Sequence, residues 1–144
     1  MTDIREILSK HKTIAMIGVS KDPTKTSTIV MKYMQKYGYK IIPVNPRAKG
    51  EKILGEPVFE KIIDIKEPIE IVNVFRPSKE AYGIAEDTVK IRAKVLWLQL
   101  GIRDEDAKKL VEKSNIEYVE NKCTKMEYQK HFLKIRQAFP VLSN

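Results

Sequence analysis

Small hydroxyl and amide side chains, isolated cations and a few glycines recur at the ends of apolar runs, a set suited to holding an anion. The first group is Gly18-Val19-Ser20, followed closely by Lys25-Thr26-Ser27. The second is Val44-Asn45-Pro46-Arg47 with Lys49, and the third is Phe75-Arg76-Pro77. Gln99-Leu100-Gly101 and Asn121-Lys122-Cys123 complete the series. Glycine lets a ligand approach the backbone closely, Ser and Asn supply hydrogen bonds, and Lys and Arg attract phosphate. The first loop feeds a helix N-terminus, whose unpaired N–H groups and positive dipole end suit a phosphate. The plainer alternative there is a tight turn with Ser27 as an ordinary helix cap.

Two familiar phosphate motifs are excluded by spacing. A Walker loop requires a second glycine five residues after the first, and Pro23 stands there, with Lys25 one place late. The dinucleotide fingerprint requires three glycines, and this loop has only Gly18. That fingerprint also needs a carboxylate after the second strand to hold a ribose diol, where this chain has Asn45-Pro46-Arg47-Ala48-Lys49. Basic groups in that place favour a ribose bearing a phosphate, which leaves NADP or coenzyme A. No nucleophile elbow, Ser–His–Asp set or paired-carboxylate arrangement stands out. His11 and His131 lack the neighbours of a metal site and are expected at the surface.

These groups need a scaffold that gathers the ends of several strands. Residues 13–19, 40–44, 69–75, 95–100 and 116–119 form apolar runs that predict buried strands. Helical spacing of apolar residues occupies the intervals, notably 27–37, 78–92 and 104–113, with further helices at each end. Residues 57–59 form a short piece after the turn-rich stretch 47–55. Alternation of this kind gives an α/β fold, a doubly wound parallel sheet between two layers of helices. Ligands of such sheets bind beyond the carboxyl ends of the strands, where all five groups lie. No repeat, linker or low-complexity tract divides residues 1–144, so one domain is expected.

Bulk properties narrow the function. The net charge of +8 invites nucleic acid, but the 27 basic residues are spread along the chain among 19 acidic ones. With no basic stripe and no interleaved aromatics, a nucleic-acid interface is not expected. No membrane span or secretory leader is expected, and the single cysteine fits a reducing, cytoplasmic compartment.

Four strings together resemble a known family: Ile17-Gly18-Val19-Ser20-Lys21-Asp22-Pro23, Val44-Asn45-Pro46-Arg47, Trp97-Leu98-Gln99-Leu100-Gly101 and Asn121-Lys122-Cys123. Over about residues 12–128 the chain resembles the small stand-alone CoA-binding proteins of bacteria and archaea. More distantly it resembles the N-terminal CoA-binding domain of the succinyl-CoA synthetase α subunit. The resemblance implies a Rossmann-like sheet of strand order 3-2-1-4-5-6, with residues 57–59 as the edge strand. It implies coenzyme A lying over the strand ends, with phosphates on Gly18, Val19, Ser20, Lys25, Thr26 and Ser27. The adenosine and its 3′-phosphate would fall to Val44, Asn45, Pro46, Arg47 and Lys49. Phe75 and Arg76 would line the adenine or pantetheine path, and Gln99 and Gly101, near Lys122 and Cys123, the thiol-bearing end. The synthetase's phosphohistidine domain has no counterpart here, and its loop is richer in glycine, so ligase activity does not carry over.

The leading expectation is therefore a CoA or acyl-CoA binder without its own catalytic centre. An NADP-dependent oxidoreductase, the CoA-holding subunit of a split CoA ligase, and a nucleic-acid-binding protein are the alternatives. Trp97, within an apolar strand, is expected in the core. Cys123 is either a small buried filler or a thiol able to meet that of CoA. Tyr128, Phe132 and Phe139 on the C-terminal helix either cover the sheet or make a homodimer contact.

Overall fold

The computed structural model describes residues 2–134. Five parallel strands form its central sheet: β1 (Thr13–Ile17), β2 (Lys40–Val44), β5 (Ile71–Val74), β6 (Val95–Leu98) and β7 (Glu117–Val119), in the order β2-β1-β5-β6-β7. Two short strands, β3 (Lys52–Ile53) and β4 (Glu56–Pro57), pair antiparallel as a separate hairpin. Five α-helices accompany them: α1 (Ile4–Lys10), α2 (Thr26–Lys36), α3 (Ala81–Lys90), α4 (Glu105–Glu112) and α5 (Thr124–Tyr128).

The alternation of side chains along each strand divides the core into two layers. Ile14, Met16, Ile41, Ile71 and Trp97 face the side covered by Leu8 of α1 and by Val30, Met31 and Met34 of α2. Ala15, Ile42, Val72, Leu96 and Leu98 face the other side, against Ala81, Ala85, Ala107 and Val111 of α3 and α4. Those alanines let α3 and α4 lie close to the sheet, because a methyl group occupies little of the space between backbones. Trp97 is fully buried and its indole N–H donates to the carbonyl of Lys122 at 2.8 Å, so the ring belongs to the core.

The expected sixth strand is reduced to a single contact. Residues 57–59 give only a parallel bridge between Phe59 and Val44. Pro57 has no N–H for a ladder and is already paired in the hairpin, so extended pairing with β2 cannot form there. The order is otherwise the expected one. His11, expected at the surface, is buried: its Nδ1 lies 2.9 Å from Oε2 of Glu70 at the amino end of the sheet. His131 is half-buried, with Nε2 3.4 Å from Oε1 of Glu127. Tyr128 and Phe132 pack against the first core layer, their rings stacked at 4.8 Å; Ile135 and Phe139 lie outside the described residues.

Candidate functional site

From β1 the chain passes into α2 on one face of the sheet, and from β5 it passes towards α3 on the other. These strands are neighbours, so a crevice opens between their carboxyl ends, the topological switch point. Gly18 sits at its mouth. Its N–H donates to the carbonyl of Val44 at 2.8 Å, its φ is +92°, and a Cβ there would stand 2.8 Å from the carbonyl oxygen of Phe75. Only glycine combines that conformation with so close a crossing.

The loop after Gly18 is tied by its own side chains. The amide of Ser20 donates to Oγ of Ser27 at 3.1 Å, and the Ser20 hydroxyl accepts from the amide of Asp22 at 3.0 Å. Asp22 in turn accepts from the amide and hydroxyl of Thr24, which hold its carboxyl below the usual range. The residue flanking α2 is Lys25, so Ser27 is not the helix cap; it is the second residue of the first turn, buried, its hydroxyl accepting from Ser20. Val19 is fully buried and its carbonyl accepts from the Asn45 side-chain amide at 2.8 Å. The other end of that amide accepts from the Arg47 N–H at 2.9 Å, which starts a 3-10 turn over Pro46–Ala48.

A cleft of about 770 Å³ fills the crevice, within the range of small-molecule sites. Of the residues singled out in the sequence, it is lined by Gly18, Ser20, Val44, Asn45, Pro46, Arg47 and Arg76. Its apolar wall comes from Ile17, Val44, Ile62 and Ile84. Its charged groups are four cations, Lys21, Arg47, Lys61 and Arg76, and four carboxylates, Asp22, Glu60, Glu80 and Asp87. Arg76 is forked onto Glu80, Nε to Oε1 at 3.0 Å and Nη2 to Oε2 at 2.6 Å, and the guanidinium holds the Glu80 carboxyl below its usual range. Lys21 lies 3.2 Å from both carboxylate oxygens of Glu51.

The remaining expected site residues lie outside that lining. Val19, Lys25, Thr26 and Ser27 belong to the loop and helix behind it. Lys49 projects outward to Glu60, 3.3 Å away. Phe75 is half-buried, its N–H bonded to the Ile17 carbonyl at 2.9 Å. Gln99 is buried among Asn73 and Thr124, donating to Asn73 Oδ1 at 2.5 Å and to the Thr124 hydroxyl at 3.2 Å. Gly101, with φ +80°, donates to the Asn121 side chain at 2.7 Å. Cys123 is buried in the first core layer, and Lys122 lies along the far edge of the sheet. Sequence reasoning missed Glu60, Lys61, Ile62, Glu80, Ile84 and Asp87. Glu80 was within reach, four residues after Arg76 in a helical stretch; Lys61 and Ile62 reach the cleft only through the path of the chain after Phe59.

Residues 12–129 match the sequence model of a family described as a CoA binding domain. The chain belongs to that family. This CoA-binding domain is 38% identical over 126 residues to the protein YneT of Bacillus subtilis, covering 88% of this chain and 92% of YneT. It is 30% identical over 95 residues to the α subunit of the ADP-forming acetate–CoA ligase I of Pyrococcus furiosus, covering 63% of this chain and 21% of that subunit. The CoA-binding domain thus spans about a fifth of the ligase subunit's length. A solved structure of a Thermus thermophilus protein superposes with a TM-score of 0.87 at 36% identity, covering 92% of this chain and all of that one. Among the described residues, no helix is long and apolar enough to cross a membrane, and no cluster of three His, Cys, Asp or Glu is placed to hold a metal ion.

Proposed function

We propose that the chain binds coenzyme A or an acyl-CoA in the cleft at the β1/β5 switch point and has no catalytic centre of its own. The observation that carries this reading is Gly18, whose missing side chain keeps the crevice open beneath Phe75 and Arg76. Around it, the donor set suits the nucleotide half of CoA. Ile17, Ile62 and Ile84 offer an apolar wall to an adenine, and Arg47 and Arg76 offer cations to phosphates. The thiol end would extend out of the cleft, since Gln99, Gly101, Lys122 and Cys123 form no part of its lining. The relationship to a ligase α subunit favours one second reading, a CoA-holding chain whose chemistry is completed by a partner.

The test is a thermal-shift titration with CoA, dephospho-CoA, NADP and NAD. A ligand that binds only the native state stabilises it by mass action, about 2.7 kcal/mol at a hundred times its Kd. CoA should raise Tm most, dephospho-CoA less and NAD least. Stabilisation by NAD or NADP without CoA would transfer the cleft to a nicotinamide cofactor.

A further inference from the structure

The geometry points to Lys61, acting with Arg47, as the residue that selects a ligand carrying a ribose phosphate, in place of Lys49. This rests on the nucleotide reading of the cleft and adds to it the side chain that sets specificity. Each candidate cation can be sorted by what it already holds. Arg76 is forked onto Glu80 and Lys21 onto Glu51. Lys49, which the sequence offered beside Arg47, lies outside the cleft lining and is paired with Glu60. Among the described residues, Arg47 and Lys61 line the cleft with no ion pair of their own. An arriving phosphate must compete with an ion-paired carboxylate at Arg76 and at Lys21, but not at these two.

Their neighbourhood follows from the backbone. Phe59 bridges Val44 in parallel, the Phe59 N–H donating to the Pro43 carbonyl at 3.0 Å and the Asn45 N–H to the Phe59 carbonyl at 2.9 Å. Running in the same direction, the two segments carry Arg47 and Lys61 past the same end of the sheet, onto one side of the cleft. The parallel bridge that replaces the sixth strand therefore has a role: it brings a second cation to the end of β2. Lys49 acts indirectly, because Glu60 lines the cleft and would repel a phosphate if left unpaired.

The experiment compares CoA with dephospho-CoA by calorimetric titration of the full chain and of three variants. Lys61 is exposed, so Lys61→Ala should keep the wild-type Tm. It should reduce the preference for CoA over dephospho-CoA by about tenfold, the lower end for a hydrogen bond to a charged group. Lys49→Ala should reduce the preference by uncovering Glu60. The double variant Lys49→Ala, Glu60→Gln should restore it to within about twofold of wild type, as expected when both members of an exposed pair are removed together. An unchanged preference in Lys61→Ala, or a preference still lost in the double variant, would overturn the assignment while leaving CoA binding intact. A wild-type protein that binds neither ligand would remove the functional reading and this one together.

Discussion

Two halves of the sheet's carboxyl edge are made from similar residues and end in opposite states. Above β2, β1 and β5 the backbone turns away early: Gly18 crosses under Phe75, Asn45 starts a tight turn, and a cleft of about 770 Å³ remains. Above β6 and β7 the space is filled. Gln99 and Thr124, with Asn73 reaching in from β5, are each at most 3% exposed and bond to one another, and Cys123 packs into the first core layer. The difference lies in where the polar groups find partners. In the closed half side chains satisfy one another, and in the open half Arg47 and Lys61 have no ion pair among the described residues. A polar strand end is a site only where the fold leaves its polar groups short of partners.

The largest expected effect tests how the open half stays open. Gly18→Ala meets both a left-handed φ and the carbonyl of Phe75, and should destabilise the protein by about 3 kcal/mol. Gly50→Ala is the control, because φ is +83° but nothing lies within 4 Å of the added methyl. It should cost about 1 kcal/mol, the strain alone. Urea denaturation measures both. Equal losses would mean that the crossing at Gly18 is not tight and that another feature shapes the cleft.

Next in size is the closed half's network. Gln99→Leu leaves the Asn73 side-chain oxygen Oδ1 buried without its donor and should cost about 2 kcal/mol. Replacing Asn73 with Val and Thr124 with Val in the same chain should return part of that loss, because removing all partners together leaves nothing unsatisfied. CoA affinity should be unchanged in Gln99→Leu at temperatures where it is folded. A collapse of affinity there would mean the ligand reaches across both halves, and the contrast between them would fail.

The layered sheet was legible because each strand is a continuous apolar run and each helix a periodic one, signals that belong to single segments. Strand order came from the family resemblance and not from any segment's own pattern, and it agrees with the sheet except at residues 57–59, where Pro57 and a competing hairpin reduced a strand to one bridge. Seven of the seventeen described residues that line the cleft were singled out by type at strand ends, among them Gly18, Asn45, Arg47 and Arg76. What could not be read was which polar residues would satisfy each other. Ser27 with Ser20, Lys49 with Glu60 and Gln99 with Asn73 are pairings at a distance, and composition alone gives each residue the same standing as Arg47. Besides Glu80 four residues after Arg76, Asn73 within Ile71-Val72-Asn73-Val74 was a local clue, since an amide in a doubly buried strand requires a partner.

The smallest effect in stability is the sharpest test of closure. Cys123 is 8% exposed and packed in the first core layer, while the Lys122 side chain lies out along the β7 edge. Cys123→Ala should cost only about 1 kcal/mol, the ordinary value for a modest core truncation, and should leave CoA affinity unaltered. The informative measurement is reactivity. A Cys123 thiolate that attacks CoA disulfide breaks its S–S bond, forms a mixed disulfide and releases one CoA thiol, so intact mass reports the adduct directly. The sulfur of a closed half is reached only when that region opens. An opening free energy of about 3 kcal/mol slows exchange by about two powers of ten relative to a free thiol of the same acidity. Slow modification that accelerates in mild urea is the expected result. Rapid, stoichiometric addition in native buffer, reversed by dithiothreitol and absent in Cys123→Ser, would show that the thiol stands open beside the bound ligand and that the two halves form one continuous site.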